Sequence, residues 1–268
     1  MKNDFPHSVR IKKIIQETPL VRSYVFDYPV RAIPGQFVNL WIPGIDEKPI
    51  SVAFDDGKSY TLAVASVGET TKTLQSKKVG DYIGIRGPYG TGYSWKPKMR
   101  IAMLAGGYGA APLYFAAVQA IKDGCKVDFF LGARSKEHVL FENRIKKLKG
   151  VRFLPATNDG SCGFKGFNVE CWQNEMAKGV KYNLVMTCGP ELMMKVVSDL
   201  AFKKKIQAQV SVERYMKCGL GICGNCCVDD SGVPTCQKGT VMDNKDVRQI
   251  KEFGVYHRDS VGRKQYWK

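Results

Sequence analysis

The chain has 268 residues, enough for two or three compact units, and its 44% hydrophobic and 25% charged residues are typical of a folded protein. It has no run of about 18 apolar residues and no apolar stretch near its amino terminus, so we expect no membrane span and no secretory signal, and we predict a cytoplasmic protein. The net charge of +16 can indicate nucleic-acid binding, but the basic residues are spread along the chain, which favours a solvated surface or an acidic partner.

The first region, residues 1–98, is predicted to be a β barrel. Short runs rich in β-forming residues are separated by glycine and proline turns, which is a pattern typical of barrels. The predicted strands are residues 21–26, 37–42, 60–67 and 82–85.

The second region, residues 99–212, alternates strands with helices, which predicts a parallel, doubly wound sheet. Gly106-Gly107-Tyr108-Gly109 follows the first strand, and Cys188-Gly189-Pro190 follows a later one. Nucleotides bind at the carboxyl ends of such strands and at helix N-termini, although either motif alone is also compatible with an ordinary tight turn. The predicted strands are 101–105, 126–131, 151–154, 183–187 and 208–212, and the predicted helices are 111–123, 137–148 and 191–203.

The third region, residues 213–268, contains five of the nine cysteines, which indicates a metal site rather than a disulfide framework. With Cys227 interpreted as a small buried residue, the spacing is C-x4-C-x2-C-x9-C, and its first part matches the plant-type 2Fe–2S arrangement. Glycines between the cysteines allow backbone N–H groups to point at the sulfurs. A structural zinc site is the alternative, but such sites more often show paired C-x2-C motifs. The predicted cluster ligands are Cys218, Cys223, Cys226 and Cys236.

Together these motifs resemble the ferredoxin–NADP reductase superfamily, in which a flavin-binding barrel precedes a nucleotide domain with G-G-x-G-x-A-P and C-G-P turns. With the cysteine region added, the whole chain is most similar to the electron-transfer subunits of two-component dihydroorotate dehydrogenases. The resemblance implies a FAD-binding barrel at 1–98, a NAD-binding α/β domain at 99–212, and a 2Fe–2S domain with a tail at 213–268. It also implies electron transfer between NAD and a catalytic, FMN-containing dihydroorotate dehydrogenase subunit, in a hetero-oligomer that serves pyrimidine biosynthesis. The resemblance assigns no side chain of this chain the role of a catalytic acid or base.

The resemblance also assigns cofactor contacts. Lys48-Pro49-Ile50-Ser51 matches a flavin motif at the end of a barrel strand. Lysine stands where arginine is common, so this position lacks the guanidinium group that binds a phosphate through two parallel hydrogen bonds. Residues 63–65 match a second flavin strand, and Gly68-Glu69-Thr70-Thr71 matches a turn that holds the flavin pyrophosphate. The residues predicted to bind FAD or NAD are Lys48, Pro49, Ile50, Ser51, Ala63, Val64, Ala65, Gly68, Thr70, Thr71, Gly106, Gly107, Gly109, Cys188, Gly189 and Pro190.

Two other functions are left open. A ferredoxin- or hydrogenase-linked NAD(P)H oxidoreductase subunit has a similar layout, but such relatives often replace one cluster cysteine with aspartate, and all four are present here. A zinc-stabilised nucleic-acid-binding module would account for the charge of +16. Arg134 and Ser135, which follow the strand at 126–131, are typical of NADP sites, so NADP is not excluded beside the NAD that the resemblance implies.

Overall fold

A closed antiparallel barrel forms the first part of the structure, a computed structural model that describes residues 5–267. Its strands are β1 (His7–Gln16), β2 (Val21–Phe26), β3 (Phe37–Ile42), β4 (Asp46–Asp55), β5 (Tyr60–Ala65) and β6 (Tyr82–Tyr89). Their order is β1-β2-β5-β4-β3-β6, and pairing of β1 with β6 closes the sheet. Alternate side chains such as Val38, Leu40 and Ile42 point inwards and fill the barrel. The predicted barrel is therefore confirmed.

A seven-stranded sheet forms the second part. Its strands are β7 (Arg100–Gly106), β8 (Lys126–Ala133), β9 (Val151–Thr157), β10 (Phe164–Lys165), β11 (Leu184–Cys188), β12 (Gln207–Ser211) and β13 (Val241–Asp243). Their order is β10-β9-β8-β7-β11-β12-β13, and every pair is parallel except β12 with β13. The parallel core agrees with the predicted α/β sheet.

Helices cover both faces of this sheet, as a doubly wound fold requires. The helices of this part are α2 (Ala110–Lys122), α3 (Glu142–Lys146), α4 (Asn168–Ala177) and α5 (Glu191–Lys203), and the barrel contributes α1 (Glu69–Ser76). Ile101 and Met103 of β7 face α2 and α3, whereas Ala102 and Leu104 face α4 and α5. In the part of the chain that the structure describes, no helix is long and apolar enough to cross a membrane.

The predicted helix at 137–148 is wrong in extent. A 3-10 turn at Lys136–His138 is followed by buried Val139, Leu140 and Phe141, and α3 begins only afterwards. Phe141 has a left-handed backbone with φ of 62°, which interrupts the helix. Burial of these apolar side chains in the core therefore outweighs their local helical pattern.

The region after β12 does not form a separate layer. It contains α6 (Thr235–Lys238), α7 (Asn244–Val247) and the hairpin of β14 (Tyr256–Arg258) with β15 (Lys264–Tyr266), and it also supplies β13 to the large sheet. The backbone N–H of Val212 donates to the carbonyl of Thr240 at 2.9 Å, so the two ends of the intervening segment meet. We call this segment, residues 213–240, the cysteine loop.

Candidate functional site

A cleft of about 250 Å³ lies between the barrel and the large sheet. Residues 49–51 of β4 and 63–65 of β5 form its barrel wall, while Gly109 and Cys188 lie on its sheet wall. The structure therefore brings the predicted flavin motifs and both predicted nucleotide motifs to one place. The lining also contains Tyr108, Ala111 and Pro112 of the predicted G-G-x-G-x-A-P turn. The residues of the lining that no sequence motif indicated are Phe37, Val67, Glu213, Arg214, Met216 and Thr240.

The predicted flavin motif lies inside β4 and not at a strand end, which corrects the sequence prediction. Pro49 lies opposite Asn39 of β3, and pairing of β4 with β5 begins only at Val52. A proline is tolerated there because its missing N–H faces no partner strand. Lys48 lies outside the cleft lining, where its Nζ contacts Asp46 Oδ2 at 2.5 Å.

The predicted pyrophosphate turn is the beginning of helix α1, with Gly68 at its N-cap. The hydroxyl of Thr71 accepts hydrogen bonds from the N–H groups of Val67 and Gly68, at 3.1 and 3.0 Å. It therefore serves as a helix cap. Of the three residues predicted here, Thr71 lines the cleft, whereas Gly68 and buried Thr70 do not.

The two predicted nucleotide turns pack directly against each other. A Cβ atom on Gly109 would lie 2.3 Å from the carbonyl oxygen of Cys188, and one on Gly189 would lie 2.8 Å from Gly106 Cα. Glycine is therefore required at both positions, because the backbones touch. Since β7 and β11 are neighbouring parallel strands, helices α2 and α5 begin side by side at the same edge of the sheet. This is the edge where α/β sheets bind nucleotides, although Gly106, Gly107, Gly189 and Pro190 do not line the cleft itself.

Three titratable groups on the sheet wall have raised pKa values. Glu213 is open to the cleft but surrounded by protein on its other sides, and burial together with Glu191 raises the pKa of its carboxyl to about 7. Burial also raises the pKa of the Cys188 thiol well above its usual value. The charge of Glu213, followed by burial, raises the pKa of Tyr108 to about 12. Near neutral pH, this wall therefore presents a thiol and a phenol rather than a thiolate and a phenolate.

A buried ion pair connects the sheet wall to the chain's last described residues. Arg214 Nη1 donates to Glu191 Oε2 at 2.6 Å, and both side chains are about 95% buried. Gly254 N and Trp267 Nε1 donate to the other oxygen of Glu191, at 2.7 and 3.3 Å. Because Glu191 begins α5, these bonds fix the nucleotide turn relative to the cysteine loop.

Backbone N–H groups of the cysteine loop point at three of the four predicted ligand sulfurs. Sγ of Cys218 accepts from Leu220 at 3.3 Å, Sγ of Cys236 from Gly221 at 3.2 Å, and Sγ of Cys226 from Cys236 at 3.4 Å. Donors of this kind stabilise the charge on cluster thiolates. In residues 5–267 no three His, Cys, Asp or Glu side chains form a group typical of a bound metal ion, so the fit of a cluster rests on this donor chemistry.

The thiols differ in how readily they lose a proton. Burial would raise the pKa of Cys218, but backbone hydrogen bonds outweigh it and lower the pKa to about 7. Burial and the neighbouring Cys226 raise the pKa of Cys236 to about 12, so metal binding there must displace a proton. Cys227 is half-buried, not buried as predicted, and pairs through its backbone with Pro234.

One layer of side chains lies between the cleft and the cysteines. Phe37 and Met216 both line the cleft, and both pack in one apolar cluster with Tyr89, Cys226 and Cys236. The Asn39 side chain also donates to the carbonyl of Lys217 at 3.0 Å, which holds the cysteine loop against β3. The cleft and the predicted cluster ligands are therefore neighbours.

Two family models match the chain. The oxidoreductase NAD-binding domain matches residues 103–199, and the iron–sulfur cluster binding domain of dihydroorotate dehydrogenase B matches residues 213–248. The second match favours an iron–sulfur cluster over zinc in the cysteine loop.

Two relatives match this chain over nearly all of its residues and nearly all of their own. A protein of Methanocaldococcus jannaschii, named probable dihydroorotate dehydrogenase B (NAD(+)), electron transfer subunit, is 46% identical over 98% of this chain and 99% of its own. A protein of the same name from Methanothermobacter thermautotrophicus is 38% identical over 98% of both chains. These identities extend across the barrel, the large sheet and the cysteine loop.

Solved structures share the fold. The NADH-dependent reduced ferredoxin–NADP oxidoreductase, described in work on flavin-based electron bifurcation, matches with a TM-score of 0.81 and 28% identity over 91% of this chain and 92% of its own. A ferredoxin NADP+ reductase from Neisseria gonorrhoeae with bound FAD and NADP matches with a TM-score of 0.64 and 21% identity, over 75% of this chain and 91% of its own. The barrel and sheet therefore have the ferredoxin reductase arrangement.

Proposed function

The chain belongs to the family of electron-transfer subunits of dihydroorotate dehydrogenase B, and from this premise we propose that it passes electrons between NAD and a catalytic dihydroorotate dehydrogenase subunit. FAD and a 2Fe–2S cluster are the proposed carriers, because a flavin exchanges electron pairs with a nicotinamide and single electrons with a cluster. The shared layer of Phe37 and Met216 is the observation that carries this proposal, since it keeps the cleft and the cysteines in contact.

The chain's own residues have positioning roles in this proposal. Pro49, Ile50 and residues 63–65 offer an apolar wall to a flat ring, and the Ser51 hydroxyl offers a polar contact beside it. The glycine turns and the starts of α2 and α5 offer backbone N–H groups to nucleotide phosphates. Cys218, Cys223, Cys226 and Cys236 are the proposed cluster ligands. We retain the division into domains at 1–98, 99–212 and 213–268 and the cytoplasm as the proposed location.

The catalytic partner is proposed to contain FMN and to form a hetero-oligomer with this chain. Support comes from the exposed part of the cysteine loop, where Cys223 is exposed and 80% of the Ile222 surface is accessible. A cluster ligand at the surface lets electrons leave the chain towards another protein.

The test begins with anaerobic purification of the full chain. We expect a yellow-brown protein with about one flavin and about one 2Fe–2S cluster per chain, measured by visible absorption and by flavin and iron content. NADH is expected to reduce an artificial dye through the isolated chain. After mixing with the catalytic subunit from the same genome, dihydroorotate is expected to reduce NAD. A colourless, zinc-containing preparation, or a coloured one that never couples dihydroorotate to NAD, would overturn the proposal.

A second candidate is a ferredoxin-linked NAD(P)H oxidoreductase subunit. The similarity to the NADH-dependent reduced ferredoxin–NADP oxidoreductase, at 28% identity over 91% of the chain, favours it. Reduced ferredoxin in place of the catalytic subunit separates the two functions. Efficient reduction of NAD or NADP by ferredoxin, with no response to dihydroorotate, would select this second candidate.

A further inference from the structure

The outer face of strand β3 carries an exposed tryptophan close to the cysteine loop. Val38, Leu40 and Ile42 point into the barrel, so Phe37, Asn39 and Trp41 share the outer face. Phe37 and Asn39 contact the cysteine loop, whereas 38% of the Trp41 surface is exposed. At about 3.3 Å per residue, Trp41 lies about 13 Å along the strand from Phe37.

The Trp41 ring lies flat across the neighbouring strand. Trp41 is paired with Gly84 of β6, and a Cβ atom on Gly84 would lie 2.4 Å from the indole ring. Any other residue at position 84 would therefore displace the ring. A glycine that an aromatic side chain covers is a recognised cross-strand arrangement, and here it fixes the ring at the surface before any partner binds.

Polar groups and a depression surround this ring. Arg86 follows on the same face of β6, and Glu47 of β4 accepts hydrogen bonds from its Nε and Nη2 atoms, at 2.6 Å for Nε. Trp41, Ile45, Glu47 and Arg86 line a shallow depression of about 530 Å³. An aromatic ring and an arginine beside a depression are the residue types that dominate protein–protein binding energy.

We propose that this surface, defined by Trp41, Ile45, Glu47 and Arg86, is the docking site for the catalytic partner subunit. The proposal rests on the proposed function, since it takes the occupant to be the protein that receives electrons at the cysteine loop. A standard interface covers about 800 Å² on each partner, which is about 30 Å across. Asn39, two residues before Trp41 on the same face of β3, bonds to Lys217, so one such interface reaches from Trp41 onto the cysteine loop.

Charge indicates what the partner presents. Lys217 and Lys238 are exposed on the cysteine loop, and the chain as a whole has a net charge of +16. The matching surface would offer an apolar side chain to the depression and carboxylates to these lysines. Such complementarity mainly raises the association rate, so binding to the partner should weaken as salt increases.

The test uses the full chain loaded with its cofactors and the purified catalytic subunit. We expect Trp41→Ala to raise the Kd of the complex at least about 30-fold, as loss of a hot-spot residue does. Phe167→Ala is the matched control, because Phe167 is 62% exposed on the large-sheet side and lies outside the surface. Trp41→Phe should recover part of the affinity. Isothermal titration gives the Kd values, and NADH-dependent dye reduction by the isolated chain shows whether each variant still carries electrons.

The outcomes are distinguishable. If wild type binds the catalytic subunit and Trp41→Ala binds it equally well, the docking proposal is wrong and the proposed function stands. If wild type does not bind the catalytic subunit at all, both fail. If gel filtration shows a wild-type homodimer that Trp41→Ala abolishes, the surface is an interface between two copies of this chain, and the docking proposal is overturned.

Discussion

Replacing Gly109 with alanine tests whether contact between the two nucleotide turns controls NAD binding. Gly109 has φ of −60° and ψ of −11°, which any residue adopts, so the backbone itself is not strained by the change. The added methyl group would instead lie 2.3 Å from the Cys188 carbonyl oxygen and 2.7 Å from Gly189 N. Ordinary contact needs about 3.4 Å or more, so the C-G-P turn must move by about 1 Å.

The expected cost follows from this displacement. Overpacking of this kind costs about 1–3 kcal/mol, which lowers Tm by roughly 2–12 °C in a chain of this size. A misplacement of about 1 Å near a binding site can also cost about 100-fold in kcat/KM. We therefore expect a large rise in the KM for NADH, measured by dye reduction, with flavin and iron content unchanged.

Gly179→Ala is the matched control for stability. Gly179 has φ of +88° and no atom within 4 Å of an added Cβ, so alanine there costs about 1–2 kcal/mol through backbone strain alone. It lies between α4 and β11 and outside the cleft lining. Both variants should melt earlier, but only Gly109→Ala should lose affinity for NADH. Equal KM values in the two variants would refute the argument that the turns position the nucleotide.

Three further predictions concern single side chains. Cys223→Ser should lose iron and visible absorbance while Cys227→Ser keeps both, and equal losses would contradict the ligand assignment. Arg134→Ala should leave NADH turnover intact and lower kcat/KM for NADPH about 10- to 150-fold, by the loss of one charge-assisted contact; a wild type that strongly prefers NADPH would reverse the NAD assignment. The Glu213 pKa is raised from 4.5 to about 7, so the stability that its protonated form contributes is present below about pH 4.5 and is lost as the pH rises through 7. Glu213→Gln should therefore gain Tm relative to wild type at pH 8 but not at pH 4.5, and a difference that does not vary with pH would show that Glu213 does not titrate in this way.

Much of the fold could be predicted from the sequence because its signals are local. The cysteine spacing, the glycine turns and the alternation of strands with helices are each visible within about 30 residues. The bounds of strand β4 could not be predicted from the sequence, because a proline such as Pro49 normally argues against a strand. Pro49 is allowed here only because β4 does not pair with β5 at that position. Helix α3 likewise depends on the burial of Phe141, which tertiary packing decides.

Fewer residues of the candidate site than of the fold could be predicted from the sequence. Residues 49–51 and Cys188 belong to recognisable motifs, and the structure places them in the cleft. Glu213 and Met216 also line the cleft, but a single glutamate or methionine after a strand carries no periodic or spacing signal. The ion pair of Arg214 with Glu191 joins residues 23 positions apart, and only the folded chain shows that it links the nucleotide turn to the cysteine loop.

The closed ends of the cysteine loop have a consequence for the repair of damaged protein. Because Val212 and Thr240 are joined by a hydrogen bond and β13 pairs with β12, the sheet holds the loop ends together whether or not iron is bound. Strand pairing in the sheet therefore already offsets the entropic cost of bringing the ends of the cysteine loop together. Oxidative loss of the cluster is therefore expected to leave the barrel and the sheet folded and the two loop ends joined. A protein in this state keeps the frame into which iron and sulfide can be inserted again after synthesis.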